Sequence, residues 1–353
     1  MSEHVRAALA GIVEGRTLDL DEARLAMGAV MDGEATPAQL AALLVALRMR
    51  GETVEELAGF ASAMRERVLR VEAPEGTIDV VGTGGDGAGT FNISTAAALV
   101  VASTGVPVAK HGNRAITSRS GSADVLEALG VRIDHDADTA AVALREIGFA
   151  FLFAPTFHPA MRHAGPTRRE IGIRTSFNLL GPLTNPAGAR RALIGVGDPA
   201  VAGRIAQVAA LLGTDRTLVV HGAGVDELPL DGTGVIHDVQ SGEVVATEID
   251  ARSLGLGGAS ISELAGGSAE DNAAIIDAVF GGETGPRRDV VLLNAGAALV
   301  ASGVAVELAD GVARARAALD SGRPAQLLER LRAEKLASST PSAASTATAG
   351  SVA

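Results

Sequence analysis

Val80-Val81-Gly82-Thr83-Gly84-Gly85-Asp86-Gly87-Ala88-Gly89-Thr90-Phe91-Asn92-Ile93-Ser94-Thr95 decides how this chain is read. Apolar β-branched residues run into a glycine-rich turn, and amide and hydroxyl side chains then precede an Ala-rich apolar run. The pattern predicts a strand, a tight turn and a helix. Gly82, Gly84 and Gly85 permit backbone angles and close main-chain approaches that other residues forbid. Asn92, Ser94 and Thr95 fall at the predicted helix start, where unpaired N–H donors and the positive end of the helix dipole attract anions. The stretch is a candidate phosphate cradle, although a glycine-rich turn after a strand is often a turn and nothing more.

The same alternation continues outward. Strands are expected at 78–81, 106–109, 149–154, 193–196 and 218–220, with helices such as 95–103 and 200–212 between them. Strands alternating with helices imply an α/β fold with a central, largely parallel sheet covered on both faces. Ligands of such sheets gather beyond the carboxyl ends of the strands. Four polar clusters lie there: Gly82 to Asp86, Lys110 to Arg114, Pro155 to Arg169, and His221 to Glu227. The first 70 residues differ, reading as short helices with their own start signals. Thr36-Pro37 with Gln39, Thr53 with Glu56, and Asp19 with Glu22 have capping-box residue types, and Leu40, Leu43, Leu44 and Leu47 mark one apolar face. That stripe reads as packing. The expected organisation is a small helical domain over residues 1–72, a large α/β domain over 73–335, and an uncharged Ser/Thr/Ala-rich tail, 336–353, read as disordered.

Composition narrows the function. At 353 residues the chain suits two domains, and 47% hydrophobic residues suffice for a buried core. A net charge of −12 disfavours nucleic acid and anionic membrane surfaces, and aromatic content of 2%, all Phe, leaves no base-stacking platform. No run of about 18 apolar residues could span a bilayer and no signal-like leader opens the chain, so a soluble, cytoplasmic protein with a small-molecule ligand is expected. Without cysteine there is no disulfide, thiolate nucleophile or sulfur-bound metal, and any metal must use oxygen or imidazole.

Each cluster offers a distinct chemistry. Lys110 and Arg114 flank a glycine-hinged turn, and Ser118 to Ser122 adds hydroxyls, which suits a second phosphate or, equally, a solvated basic turn. Asp226-Glu227, after Gly222-Ala223-Gly224, supplies hard oxygen ligands of the kind that hold Mg²⁺ shared with substrate phosphates; adjacent surface carboxylates are also common without any metal. The stretch from His158 through His163, Arg168, Arg169 and Arg174 is locally basic. Arg168 could fork onto a carboxylate, and His158 or His163 could titrate near neutrality or simply pack. No Ser-His-Asp set, no paired-histidine metal spacing and no nucleophile emerges. The clusters together describe transfer from a polyphosphorylated donor to a small anionic acceptor, by positioning and charge stabilisation.

On these motifs the chain resembles the anthranilate phosphoribosyltransferases, from about Val5 to about Leu331. The resemblance is carried by G-T-G-G-D at Gly82 to Asp86, N-I-S-T at Asn92 to Thr95, K-H-G-N-R at Lys110 to Arg114, G-S-A-D at Gly121 to Asp124, R-T-x-F-N-x-L-G-P-L-x-N-P at Arg174 to Pro186, and Asp226-Glu227. It implies the nucleoside phosphorylase-like fold, with about residues 166–186 joining the helical domain, a homodimer through that domain, and Mg²⁺. The implied reaction joins anthranilate to the phosphoribosyl group of 5-phosphoribosyl 1-pyrophosphate, releasing pyrophosphate.

By matching motif, the resemblance implies a phosphoribosyl pyrophosphate site of Gly82, Gly85, Asp86 and Thr90, then Asn92, Ile93, Ser94 and Thr95. The site continues through Lys110, His111, Gly112, Asn113, Arg114, Ala115, Ile116, Thr117 and Ser118 to Ser122. Ser94, Asp226 and Glu227 would be metal ligands, Asn113 and Arg168 anthranilate contacts, and His111 and His158 pocket walls. Lys110 would stabilise the leaving charge, with no general base assigned. Ile116 and Thr117 stand where small residues are frequent in relatives. A phosphoribosyltransferase for another aromatic acid and a pyrimidine nucleoside phosphorylase are the competing readings. A non-enzymatic nucleic-acid-binding relative would carry a basic groove and eroded metal residues, which this chain does not.

Overall fold

The computed structural model describes residues 1–115 and 119–339. Ile116, Thr117 and Ser118, expected at the phosphoribosyl pyrophosphate site, and tail residues 340–353 lie outside the described residues.

Four helices come first: α1 (Glu3–Val13), α2 (Leu20–Met31), α3 (Pro37–Arg50) and α4 (Val54–Glu66). The start signals form as read. Asp19, Thr36 and Thr53 each accept the N–H of the third helical residue, and Glu22, Gln39 and Glu56 reach back to the cap in reciprocal boxes. Leu40, Leu43, Leu44 and Leu47 are all buried.

The α/β part begins with β1 (Ile78–Gly82), α5 (Ile93–Ser103), β2 (Val108–Gly112), α6 (Ser122–Ala128), α7 (Ala137–Glu146) and β3 (Phe149–Phe153). Short helices α8 (Ala154–Phe157), α9 (Gly165–Ile171) and α10 (Phe177–Leu180) carry the chain back to the helical layer. It returns through β4 (Arg191–Gly195), α11 (Pro199–Leu211) and β5 (Arg216–Gly222). A hairpin, β6 (Thr233–Gln240) and β7 (Glu243–Asp250), precedes α12 (Ala269–Phe280), α13 (Pro286–Ala301), α14 (Leu308–Asp320) and α15 (Arg323–Ser339).

Among the described residues one seven-stranded sheet runs β3-β2-β1-β4-β5-β6-β7. β1 to β5 are parallel, and β6 and β7 add antiparallel strands at one edge. Strand order reverses at β1, whose neighbours are β2 and β4. The pairing of Gly82 with Gly195 therefore marks the switch point where parallel sheets open a crevice. One face of the sheet shares a buried cluster with α5, α12 and α13; on the other, β4, β5 and β6 share a second cluster with α11 and the first four helices, while β2 and β3 pack a smaller one against α7. Ala164, Phe177, Leu180 and Leu183 belong to that second cluster, so the α9–α10 excursion packs with the N-terminal helices.

Three boundaries differ from expectation. β2 starts and ends later, so Lys110, His111 and Gly112 belong to the strand and not to the turn after it; pairing with Phe151, Leu152 and Phe153 holds them extended. The β6–β7 hairpin had no sequence signal, because β7 is exposed over nearly its whole length and so carries charged residues where a buried strand would alternate. Helix α15 runs to Ser339, into the segment read as tail, since Ala, Glu, Lys and Leu favour its continuation.

Candidate active site

The carboxyl ends of β1, β4 and β5 build the site around the glycine turn. Gly84, Gly85, Gly87 and Gly89 all have positive φ, which turns the chain sharply before α5. Asp226, in the loop after β5, reaches this turn: its Oδ2 accepts the Gly84 N–H at 2.8 Å, and its own N–H donates to Asp86 Oδ2 at 3.3 Å. Room for that carboxylate depends on two glycines. A Cβ on Gly82 would overlap Asp226 Oδ2, and one on Gly195 would overlap the Asp226 carbonyl.

Glu227 is buried and Asp226 half-buried. Burial and the neighbouring Asp86 charge push Asp226 up to about 6. Burial, then Asp226, raise Glu227 well above the usual carboxylate range, while Lys110 opposes the rise. Lys110 is only 1% exposed on β2, where its Nζ donates to the Val80 carbonyl at 2.5 Å and to Ser94 Oγ at 3.3 Å. Burial pulls it down to about 8 against the field of Asp79, Glu227 and Asp226. Lys110 is thus a buried counter-charge beneath the carboxylates.

Ser94, Asp226 and Glu227 therefore converge, and hydroxyl plus carboxylate oxygens are a donor set that suits Mg²⁺. Among the described residues no group of three or more His, Asp or Glu side chains could hold a metal unaided.

The helix start is less open than its composition implied. Asn92 is the N-cap of α5 without capping it; its amide instead donates to the Ser120 carbonyl at 3.2 Å and accepts from Asn272 at 2.8 Å. Ile93 and Thr95 are buried, Ile93 in the apolar core. Thr90 bridges to Ala265. Beyond β2 the Asp124 carboxylate accepts the N–H groups of Ala115 and Gly121 at 2.9 Å each. Ser122 Oγ donates to the Asn113 carbonyl at 3.4 Å, and Asn113 itself is exposed. Arg114, read as a free cation for phosphate, is engaged by Asp124 at 2.9 Å and Glu127 at 2.8 Å, and their charges hold it well above its ordinary range. A second phosphate would have to displace those carboxylates.

On the far side of β2, His111 and His158 stack obliquely, with ring centroids 5.0 Å apart. His111 Nδ1 lies 3.1 Å from the Gly181 carbonyl. Burial pushes His111 to about 3 and His158 to about 4, so His158 does not titrate near neutrality as its sequence context had allowed. Arg168, on α9, lays its guanidinium over the Phe177 ring at 4.8 Å. It forms no ion pair among the described residues, and burial lowers its pKa.

Two structural supports show their roles only in the fold, although Arg174 and Asn185 both belong to the R-T-x-F-N-x-L-G-P-L-x-N-P motif. Arg174 donates to the carbonyls of both Gly84 and Gly85 at 2.7 Å, tying the turn to the segment after α9. Asp79, inside β1, is buried and accepts from Asn185 Nδ2 at 2.7 Å and from the His111 N–H at 3.2 Å. An isolated Asp in an apolar strand and an Asn after a proline-rich turn show their pairing only in three dimensions. A cavity of about 460 Å³ opens on the other flank of the turn, lined by Thr83 to Asp86, Arg48, Glu52, Arg174 and Arg204. Lys110, Asn113 and Arg168 do not line it.

Comparison with known proteins follows the same division. Residues 6–68 match a family model described as the glycosyl transferase family helical bundle domain, and residues 74–325 match the α/β domain of the same family. The chain is 54% identical to the anthranilate phosphoribosyltransferase of Thermomicrobium roseum, over 93% of this chain and 96% of that protein. The crystal structure of the Thermus thermophilus enzyme of that name superposes with a TM-score of 0.88 at 47% identity, covering 93% of this chain and 99% of that one. The Saccharomyces cerevisiae enzyme, solved in complex with PRPP and Mg, gives a TM-score of 0.87 at 27% identity, covering 95% of this chain and 99% of that one. With a small helical layer and a mostly parallel sheet matching these proteins over nearly their whole length, the chain belongs to the anthranilate phosphoribosyltransferase family.

Proposed function

We propose that the glycine turn, the start of α5 and the 110–122 segment hold 5-phosphoribosyl 1-pyrophosphate, that Ser94, Asp226 and Glu227 bind Mg²⁺ with it, and that Asn113 and Arg168 receive anthranilate. As a member of its family the chain transfers the phosphoribosyl group to anthranilate, giving N-(5-phosphoribosyl)anthranilate and pyrophosphate, a step of tryptophan biosynthesis. The observation that carries the site assignment is the Asp226–Gly84 hydrogen bond, which joins a carboxylate pair suited to a metal to a turn suited to phosphate.

The chain's own groups explain how transfer to the acceptor amine proceeds without a covalent intermediate on the protein. Mg²⁺, when bound, neutralises charge on the departing pyrophosphate. Main-chain N–H groups of the turn and the Lys110 charge act on the same side. As the anomeric C–O bond breaks, positive character grows on the sugar, and the neutral anthranilate amine supplies the lone pair for the new C–N bond. Its displaced proton leaves to solvent. Arg168, preoriented by Phe177, holds the acceptor's carboxylate so that the amine faces the anomeric carbon. His111 and His158, with pKa values far below neutrality, are walls and too weakly basic to take the proton.

The same reading includes a homodimer formed through the helical layer, a cytoplasmic location, and a helical domain of residues 1–72 with about 166–186 beside an α/β domain of 73–335. Among the described residues no helix is long and apolar enough to cross a membrane.

The test follows anthranilate fluorescence, which is well isolated because the chain has no Trp or Tyr. Loss of signal that requires both donor and Mg²⁺, and that Arg168→Ala and Asp226→Ala/Glu227→Ala each impair, is the expected result. A folded protein that turns over no anthranilate would overturn the assignment.

A further inference from the structure

A second cavity, of about 380 Å³, lies at the opposite end of the sheet, beside the amino-terminal ends of β4 and β5. Its walls are the two chain crossings between the helical layer and the sheet. Arg65, Val68 and Arg70 come from the end of α4 and the connection after it, and Pro182 to Arg190 from the return into β4. The crossings are already stitched together, with Arg65 Nε donating to the Leu183 carbonyl at 2.7 Å and the Val71 N–H to the Pro186 carbonyl at 3.1 Å.

Arg65 is the unexplained group. Its side chain is half-buried against the cavity, its Nε is held by Leu183, it forms no ion pair among the described residues, and its terminal nitrogens make no hydrogen bond among them. The nearby charge acting on it is Arg190, which has the same sign and lines the same cavity. Two guanidinium groups lining one cavity, one of them partly withdrawn from water without a carboxylate partner, are stabilised by an anion held between them. Arg190 spends its Nε on Asp215 at 2.6 Å, which leaves its remaining N–H groups for a ligand, and exposed Arg70 adds charge at the rim. The carboxylate in the lining does not compete, because Asp79 is occupied by Asn185 and the His111 N–H. Guanidinium forks match phosphate oxygens in pairs.

We infer that this cavity between the two crossings is a second anion site, taking a phosphate-class oxyanion between Arg65 and Arg190, separate from the donor site at the other end of the sheet. Occupancy fastens the end of α4 to the start of β4 and so stiffens the join between the two parts of the molecule.

Inorganic phosphate serves as the probe. The unfolding midpoint of the full chain is followed during phosphate titration without Mg²⁺, at ionic strength held constant with chloride, for the wild type, Arg65→Gln and Arg190→Gln. All three keep the glycine turn intact, so phosphate bound there contributes equally. The expected result is a saturable rise in the wild type whose half-saturation concentration increases at least tenfold in each variant. Crystals soaked in tungstate should show an anomalous peak between Arg65 and Arg190. Absence of a phosphate-specific rise in the wild type, an unchanged titration in Arg190→Gln, or a tungstate peak confined to the glycine turn would each overturn the inference. Arg190 is largely solvent-facing, so its variant remains decisive should Arg65→Gln fail to fold.

Discussion

Asp226 and Gly84 lie 142 residues apart and are joined by a 2.8 Å hydrogen bond from backbone N–H to carboxylate. The loop that presents the proposed metal ligands and the turn that presents phosphate-binding amides therefore shift together. Disturbing either should alter donor and metal binding jointly.

Gly82→Ala and Gly195→Ala separate that coupling from folding. A methyl at 82 meets only the Asp226 side chain, so the carboxylate moves while the backbone holds; at 195 it meets the Asp226 main chain, which cannot yield without displacing the whole loop. Gly82→Ala is expected to fold with an unfolding midpoint close to wild type yet lose about tenfold or more in kcat/KM for the donor, with a matching rise in the Mg²⁺ requirement. Gly195→Ala is expected to lose stability by several kcal/mol, on the order of other overpacked interiors. Steady-state kinetics and urea unfolding distinguish the two outcomes.

Metal affinity should depend on pH in a defined direction. Asp226 sits at about 6 and Glu227 well above the ordinary carboxylate range, so as pH falls both take up protons that a cation must expel. Apparent Mg²⁺ affinity in the presence of donor is expected to rise steadily from pH 5.5 to 8 and to be accompanied by proton release. Calorimetry in buffers of different ionisation enthalpy measures this, and an affinity flat across that range would contradict it.

Arg168→Lys keeps the charge but loses the planar fork and its stacking on Phe177. A charge-assisted hydrogen bond of about 1.5–3 kcal/mol implies a rise of about 10- to 100-fold in KM for anthranilate. The KM for the donor should stay within about twofold. Equal effects on both substrates would show that Arg168 supports the pocket generally.

Asp79→Asn tests the buried pair behind β2. Two donors converge on Asp79, but an asparagine offers one acceptor oxygen, and Asn185 cannot flip to compensate because it also donates to the Ala109 carbonyl and accepts from Ala187. At pH 8, where Asp79 is ionised, a loss of about 1–3 kcal/mol is expected. Burial raises the Asp79 carboxyl from 3.8 to about 6, so the folded state favours the protonated form. The stability this supplies is complete below the unfolded value and disappears as pH rises through about 6. The gap between wild type and variant should therefore narrow from pH 5 to pH 8, as urea unfolding across that range would show.

Much of this architecture was legible where local chemistry has a period or a signature. The capping boxes at Asp19, Thr36 and Thr53 and the β-branched runs before the polar clusters needed no tertiary information, and the clusters did fall at one sheet edge. The Asp226 loop could be placed there because strand-helix alternation fixes which end of a parallel sheet carries ligands. What escaped depends on pairing across the fold. Lys110 reads as an exposed turn cation until β3 is seen to hold it in a strand, and Arg114 reads as free until Asp124 and Glu127, a turn and more along α6, close on it. Strand β7 was invisible because its exposed faces remove the apolar alternation by which a strand is recognised.

The shared core beneath the N-terminal helices sets an order of assembly during synthesis. Leu43, Leu47 and Phe60 are completed by Phe177 and Leu180, and then by Ile205 and Ala206 on α11. More than half of the chain must leave the ribosome before those first helices can cover their apolar sides. The nascent protein therefore carries a long-lived greasy surface, and translation speed through α9 to α11 governs how much of it is captured by chaperones or by other nascent chains before it closes.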